Sequence, residues 1–357
     1  MKVLITGGCG FLGSNLAKSY LEDEAEIYII DSLFRDGSEK NLNWLKSIDI
    51  KNKIKFFKID IADKDLVNNV FKQYAPFDFT CHVAGQVAMT TSIKDPWYDL
   101  RTNVIGTFNV LEAIRKYTPD CLLAYSSTNK VYGDLEWLSY IETEKRYKLK
   151  DYPIGLDESL PLDFSTPYGC SKGSADQYVR DWSRVYGLKT VVFRHSSIYG
   201  GRQFASFDQG WIGWFCKKGL EQKMQIEAKD PIIPFTISGN GKQVRDVLHA
   251  DDLINLYKKA YFNKDILNGE IFNIGGGRSN SLSLIELFEL ISKILDLDYL
   301  KFKKLPRRVS DQDCFIASIE KVKNTLNWEP TINSEIGIKK MIDWTRHLLS
   351  NNKENKY

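Results

Sequence analysis

The chain has 357 residues, 43% of them hydrophobic, with 49 basic and 46 acidic side chains and a formal net charge of +3. That length and apolar content exclude a disordered chain and suit one large domain or two lobes around a cleft. The near-balance of charge gives no case for nucleic-acid binding, and no apolar run approaches the roughly 20 residues of a membrane span.

KVLIT (2–6) reads as a short buried strand and FLGSNLAKSYL (11–21) as the helix after it. EIYIID (26–31) and KIKFFKID (53–60) read as the second and third strands, and helical spacing covers about 63–74 and 95–116. FDFTCHVA (77–84) and CLLAYSS (121–127) are further strands. A long helix from about 168 to 187 precedes TVVFRHSS (190–197), another strand. Short continuous apolar strands alternating with helices predict a parallel sheet buried on both faces.

After about residue 196 the glycine turns YGGR, SGNGK and IGGGR separate shorter elements, and LSLIELFELISKIL (282–295) has the spacing of an amphipathic helix. The expected organisation is α/β: a Rossmann-type doubly wound parallel sheet over 1–195, with an insertion at 134–160. A smaller mixed α/β substrate-binding lobe follows over 196–350, with segments returning to the first domain, and then a tail at 351–357. Six cysteines show no CxxC and no zinc spacing, so free thiols and no metal site are expected. Met1 leads directly into a strand pattern, so no signal peptide and a cytoplasmic setting are expected.

GGCGFLG (7–13) closes the first strand and opens the first helix, with Gly7, Gly10 and Gly13 at GxxGxxG spacing. Glycines there allow a tight turn and bring backbone N–H groups, with Phe11 and Leu12 at the helix start, close to a pyrophosphate. Asp31 ends the second strand about twenty residues on, where a carboxylate accepts ribose hydroxyls and repels a 2′-phosphate. The pattern points to NAD rather than NADP, a preference tempered by Arg35. Asp60 and Ile61 are placed to flank the adenine. Ala84, Gly85 and Gln86 stand where the carboxyl end of the fourth strand meets the cofactor.

Tyr168 and Lys172, in YGCSK, share one face of the long helix. A free tyrosine titrates near 10, too high for a base at neutral pH. The neighbouring ammonium and a cationic nicotinamide are expected to lower it, with Lys172 also bonding the nicotinamide ribose. Thr128, at the end of the strand that carries Ser126, supplies a third hydroxyl to this constellation.

GGCGFLG, SSTNKVYG (126–133), YGCSK, RDVLHADD (245–252), FNIGGG (272–277) and NWEP (327–330) together resemble the extended short-chain dehydrogenase/reductase family over nearly the whole chain. The resemblance implies that Thr128, Tyr168 and Lys172 act jointly on a sugar hydroxyl held against NAD, with Ser126 on the cofactor side. Sugar-nucleotide 4,6-dehydratases of the family carry an acidic pair directly after the Thr. Here Asn129 and Lys130 stand there, and an amide does no general acid–base work. That leaves an epimerase, a dehydrogenase or a reductase.

The stretches AGQVAMTTSI (84–93), SSIYGGRQFASFDQGWIGWF (196–215) and FTISGNGKQVRDVLHA (235–250), with the insertion 134–160, resemble members that invert C2 of a CDP-linked 3,6-dideoxyhexose of bacterial surface polysaccharide. By that resemblance Arg245 and Arg308 clamp the substrate diphosphate, Arg202 is a further candidate, and Ser197 departs from a common asparagine near the phosphates. His82, His195 and His249 read as hydrogen-bonding groups of the core or strand ends, though His195 replaces a common tyrosine and faces a substrate contact. The helices near 95–116 and 168–187 pair subunits in the family, implying a homodimer or homotetramer. A UDP-sugar 4-epimerase, a reductase releasing its product, and a non-enzymatic dinucleotide sensor are the competing readings. The insertion reads as a surface excursion, a lid or a subunit contact.

Overall fold

A computed structural model describes residues 1–307 and 311–354. Seven parallel strands form the main sheet. β1 (Lys2–Thr6), β2 (Glu26–Asp31), β3 (Ile54–Lys58), β4 (Phe79–His82) and β5 (Leu122–Thr128) come from the first half of the chain. The order is β3-β2-β1-β4-β5, then Thr190–His195, then Asn268–Ile274 at the edge. The order reverses between β1 and β4, the crevice where open α/β sheets bind ligands at their carboxyl ends.

The strands are apolar because both faces are covered. Val3 and Ile5 of β1 and Ile27 and Ile29 of β2 point into one core, while Leu4, Tyr28 and Ile30 point into the other. Each such side chain, fully buried, contributes on the order of 1.5–3 kcal/mol. Helix α1 (Phe11–Glu22) follows β1, α2 (Ser38–Ile48) follows β2, and α3 (Lys64–Tyr74) follows β3. The single helix expected near 95–116 is instead a short helix, Pro96–Asp99, a π-helical stretch, Leu100–Ile105, and a helix, Gly106–Tyr117. Pro96 starts the first piece, because its missing N–H suits a helix N-terminus.

The long helix spans Thr166–Tyr186 and packs beside Gly106–Tyr117. Their outer face carries an aromatic group: Phe108 and Tyr178 contact Trp182 at 5.5 and 5.4 Å, and Phe108 and Tyr178 remain 38% and 40% exposed.

The second lobe packs helices Trp211–Glu227, Leu284–Leu295 and Ser334–Glu354 around Phe215, Phe235, Phe288 and Ile342. Leu284–Leu295 is set by a capping box in which Ser283 and Glu286 satisfy each other's backbone N–H groups. Ser334–Glu354 runs past residue 351, where a tail was expected.

The 134–160 insertion forms a small antiparallel hairpin, Tyr140–Glu142 with Tyr147–Leu149. It is fastened to the second lobe: the Tyr147 N–H donates to the Lys242 carbonyl at 3.0 Å, Lys242 pairs with Glu142 at 2.7 Å, and Arg146 donates to Ser281 Oγ at 2.8 Å. Leu138, Leu156 and Leu160 pack with Phe315 and Ala317. The insertion is thus a brace between the two halves of the chain.

Candidate active site

The glycine loop is cradle-shaped for a steric reason. Gly7 has φ of +71°, and a Cβ there would lie 2.7 Å from the Ala84 backbone; a Cβ on Gly13 would lie 2.1 Å from the Gly7 carbonyl oxygen. Gly10 caps α1 without a side chain, so the first-turn N–H groups face the cavity rather than an internal partner. This cavity, about 360 Å³, is lined by Gly7, Gly10, Phe11, Leu12 and Gly13, by Asp31, Asp60, Ile61 and Ala84, and by Ser126, Thr128, Tyr168 and Lys172. The structure therefore brings together twelve side chains and loop positions expected at the cofactor, plus Thr128.

Asp31 holds the loop as well as facing the cavity. Its carboxylate accepts the Cys9 N–H at 2.9 Å and the Leu33 N–H at 2.8 Å. Burial raises its pKa, and those N–H donors pull it back. Asp60 pairs with Arg101 at 2.8 Å, and the Ile61 carbonyl accepts Asn109 Nδ2 at 3.0 Å.

Gln86 departs from expectation. It does not line the cavity. Its backbone N–H donates to Asn103 Oδ1 at 2.8 Å and its side chain to Asp99 Oδ1 at 2.5 Å. A buried amide needs such partners, and the short helix supplies Asp99 while the π-helical stretch supplies Asn103.

The reacting end is built by β5, Thr190–His195 and the long helix. Thr128 sits opposite His195 in register and accepts the Lys130 N–H at 3.2 Å. Burial pushes the Tyr168 phenol up to about 12, a hydrogen bond with Thr128 pulls it down, and Asp99 adds to the rise. Lys172, 3% exposed, donates to the Ser126 carbonyl at 2.5 Å and lies 4.3 Å from the Tyr125 ring centroid. Burial lowers it to about 7, while Asp176 and Asp99 hold it up.

Lys172 alone therefore does not bring Tyr168 below its ordinary value. Desolvation of the phenolate wins, because the lysine is itself desolvated and aimed at a carbonyl.

Asp176 and Asp99 were not singled out from the sequence. Asp176 accepts two bonds from Arg194, at 2.9 Å each, and one from Ser127 Oγ at 2.7 Å. It therefore ties the long helix to the strand ends that carry Thr128 and His195. The i, i+4 spacing of Lys172 and Asp176 was the available signal.

Of the residues expected to meet the substrate, Ser197 and Arg202 line the cavity. Ser197 Oγ accepts the Trp211 indole N–H at 3.1 Å, and Arg202 lies 3.8 Å from the Trp44 ring centroid and 4.8 Å from that of Trp344. Arg245, expected to clamp a diphosphate, does not line it. It pairs with Asp311 at 2.7 Å and donates to the Gln312 carbonyl at 2.8 Å, because a part-buried guanidinium takes the nearest carboxylate. Arg308 lies outside the described residues.

Asn129 and Lys130 also turn away from the cavity lining. Asn129 Nδ2 donates to Gln312 Oε1 at 2.9 Å, and burial and Arg245 lower Lys130 to about 8. His82 bonds Thr6 and Thr107 at 2.6 and 2.9 Å in the core, and His249 accepts the Asp251 N–H at 3.2 Å at a helix start. Among the described residues, none of the 134–160 insertion lines the cavity.

The profile of the family described as GDP-mannose 4,6 dehydratase matches residues 4–341. The chain is 54% identical to a CDP-paratose 2-epimerase of Salmonella typhi, over 97% of this chain and 99% of that protein. Among solved structures, a UDP-glucose 4-epimerase of Thermotoga maritima with UDP-glucose superposes with a TM-score of 0.81 at 27% identity, covering 98% of this chain and 100% of that one. A UDP-glucose 4-epimerase of Thermus thermophilus in complex with NAD gives 0.78 at 25% identity, covering 97% and 99%.

Proposed function

The chain belongs to the GDP-mannose 4,6 dehydratase family, and from that premise we propose that it is an NAD-dependent epimerase that inverts C2 of a CDP-linked 3,6-dideoxyhexose, converting CDP-paratose to CDP-tyvelose. The observation that carries the reading is that Thr128, Tyr168 and Lys172 line the same cavity as the glycine loop and Asp31. The glycine cradle, which a Cβ would fill, fits a dinucleotide pyrophosphate. Bound NAD would supply the acceptor for the C2 hydride and the donor that returns it to the other face of the sugar.

The C2–H bond of such a sugar has no adjacent carbonyl, so direct proton removal leaves an unstabilised carbanion, which oxidation avoids. Tyr168 takes the C2 hydroxyl proton and later returns it. Thr128 fixes the reacting oxygen near the phenol. Lys172, lowered by burial to about 7 and held up by Asp176 and Asp99, would in its charged form favour the phenolate together with the cationic nicotinamide. Asn129 and Lys130 supply no carboxylic acid, and neither lines the cavity, so elimination of water lacks its acid and base. Arg202 and Ser197 are assigned to the nucleotide-sugar side, with Arg308.

The aromatic face of Phe108, Tyr178 and Trp182 supports pairing of two copies through those helices, since exposed aromatic clusters of this kind mark protein contacts. The proposed setting is the cytoplasm, in the synthesis of a bacterial surface polysaccharide such as O-antigen.

The test is incubation with CDP-paratose in deuterated water, followed by NMR at C2. Inversion without solvent deuterium at C2 is expected. Deuterium uptake there overturns hydride return, and conversion of UDP-galactose instead would support a 4-epimerase.

A further inference from the structure

His195 ends its strand beside the reacting groups and is 7% exposed. Its Nδ1 lies 3.2 Å from Ser126 Oγ, and its ring lines the cavity that Tyr168 and Lys172 line. Its Nε2 is buried with no hydrogen-bond partner. A buried polar atom without a partner is costly, so one on a residue that lines a ligand cavity points to a ligand partner. Burial, and after it the Lys172 ammonium, disfavours a charged imidazole. With a neutral ring, a Ser126 hydroxyl that donates to Nδ1 would leave the imidazole proton on Nε2.

We propose that His195 Nε2–H is a hydrogen-bond donor to a carbonyl oxygen of the bound ligand, with Ser126 fixing the tautomer. Two carbonyls reach this end of the cavity on the reading above, on which the inference rests: the carboxamide of the nicotinamide and the transient 2-keto group of the sugar. A neutral N–H bonds either oxygen and, unlike a cation, does not oppose the positive nicotinamide of the oxidised cofactor. His195 is in this sense a positioning residue, since the proton it carries is not transferred.

The test compares wild type with His195→Asn, which keeps an amide near Ser126 and removes the atom at Nε2, and His195→Gln, whose longer amide restores a donor at that reach. His195→Phe serves where the asparagine variant fails to fold. NAD affinity is measured by calorimetry on protein stripped of cofactor, and release of keto sugar is followed by trapping during turnover. About tenfold weaker NAD binding in the Asn variant, restored by Gln, assigns the bond to the carboxamide. Unchanged NAD binding with increased keto-sugar release, again restored by Gln, assigns it to the sugar. A folded Asn or Phe variant that matches wild type in both readouts overturns the proposal, as does a loss that Gln does not restore. Failure of the wild-type protein to bind NAD overturns the underlying cofactor reading instead, so the two failures are separable.

Discussion

Asn129 and Gln312 are 183 positions apart in the chain, and their side-chain amides meet at 2.9 Å in the protein interior. Gln312 in turn donates to the Gly133 carbonyl at 2.7 Å. The turn that follows Thr128 is therefore pinned by the second lobe, and the residue after Thr128 must be a donor.

Asn129→Asp faces a carboxylate oxygen toward Gln312 Oε1, leaving two acceptors in contact. The expected cost is about 1–3 kcal/mol of stability, read as a lower urea midpoint at neutral pH. An unchanged midpoint would mean that Gln312 flips its amide to donate and that the turn is not pinned as described.

Tyr168→Phe removes the phenol and leaves the cavity wall. Turnover of the CDP-sugar is expected to fall by roughly 10²–10⁴, with NAD binding close to wild type by calorimetry. Burial pushes the Tyr168 phenol up to about 12. Binding of the cationic nicotinamide favours the phenolate, so an ultraviolet difference titration should show a tyrosine with a lower midpoint in the NAD complex than without it. Equal midpoints would remove Tyr168 as the base.

Asp246 is fully buried, accepts the Gly277 N–H at 3.1 Å, and is pushed by burial up to about 7 from 3.8. A carboxyl whose folded pKa is raised binds more protons in the folded state between those two values. Its stabilising contribution is complete below about 4 and is lost as pH rises to 7. Asp246→Asn lacks this titration. The stability of wild type minus that of the variant should fall by about 1.4 kcal/mol per pH unit across the window, measured by denaturant unfolding from pH 4 to 8. A flat difference would place the carboxyl in an ordinary acid range.

Tyr178→Glu combined with Phe108→Glu sets two carboxylates on the exposed aromatic face of the paired helices. The oligomer proposed to form there should dissociate, giving the monomer mass by light scattering with little change in the monomer's thermal unfolding. A retained oligomer would locate the subunit contact elsewhere.

The expectations that held longest rest on short-range rules. The alternation of Val3, Leu4 and Ile5 between two cores follows from strand geometry, and the GGCGFLG turn follows from backbone sterics at Gly7 and Gly13. Tyr168 and Lys172 share a face because four residues make about one helical turn. These properties belong to neighbouring residues, so the sequence determined them by itself: the parallel sheet, the nucleotide cradle, and a tyrosine–lysine pair beside it.

The tertiary structure alone decided which partner each polar group takes. Gln86 turns from the cavity because Asp99 and Asn103 reach it from the short helix and the π-helical stretch, and Arg245 turns from it because Asp311 arrives 66 positions later. The 134–160 insertion becomes a brace because Lys242 and Ser281 lie against it, and His195 becomes a cavity group because Ser126 occupies its other nitrogen. Buried charges and amides bind whichever complementary group packing brings within about 3 Å, and that proximity is a property of the folded chain, with no trace in local periodicity.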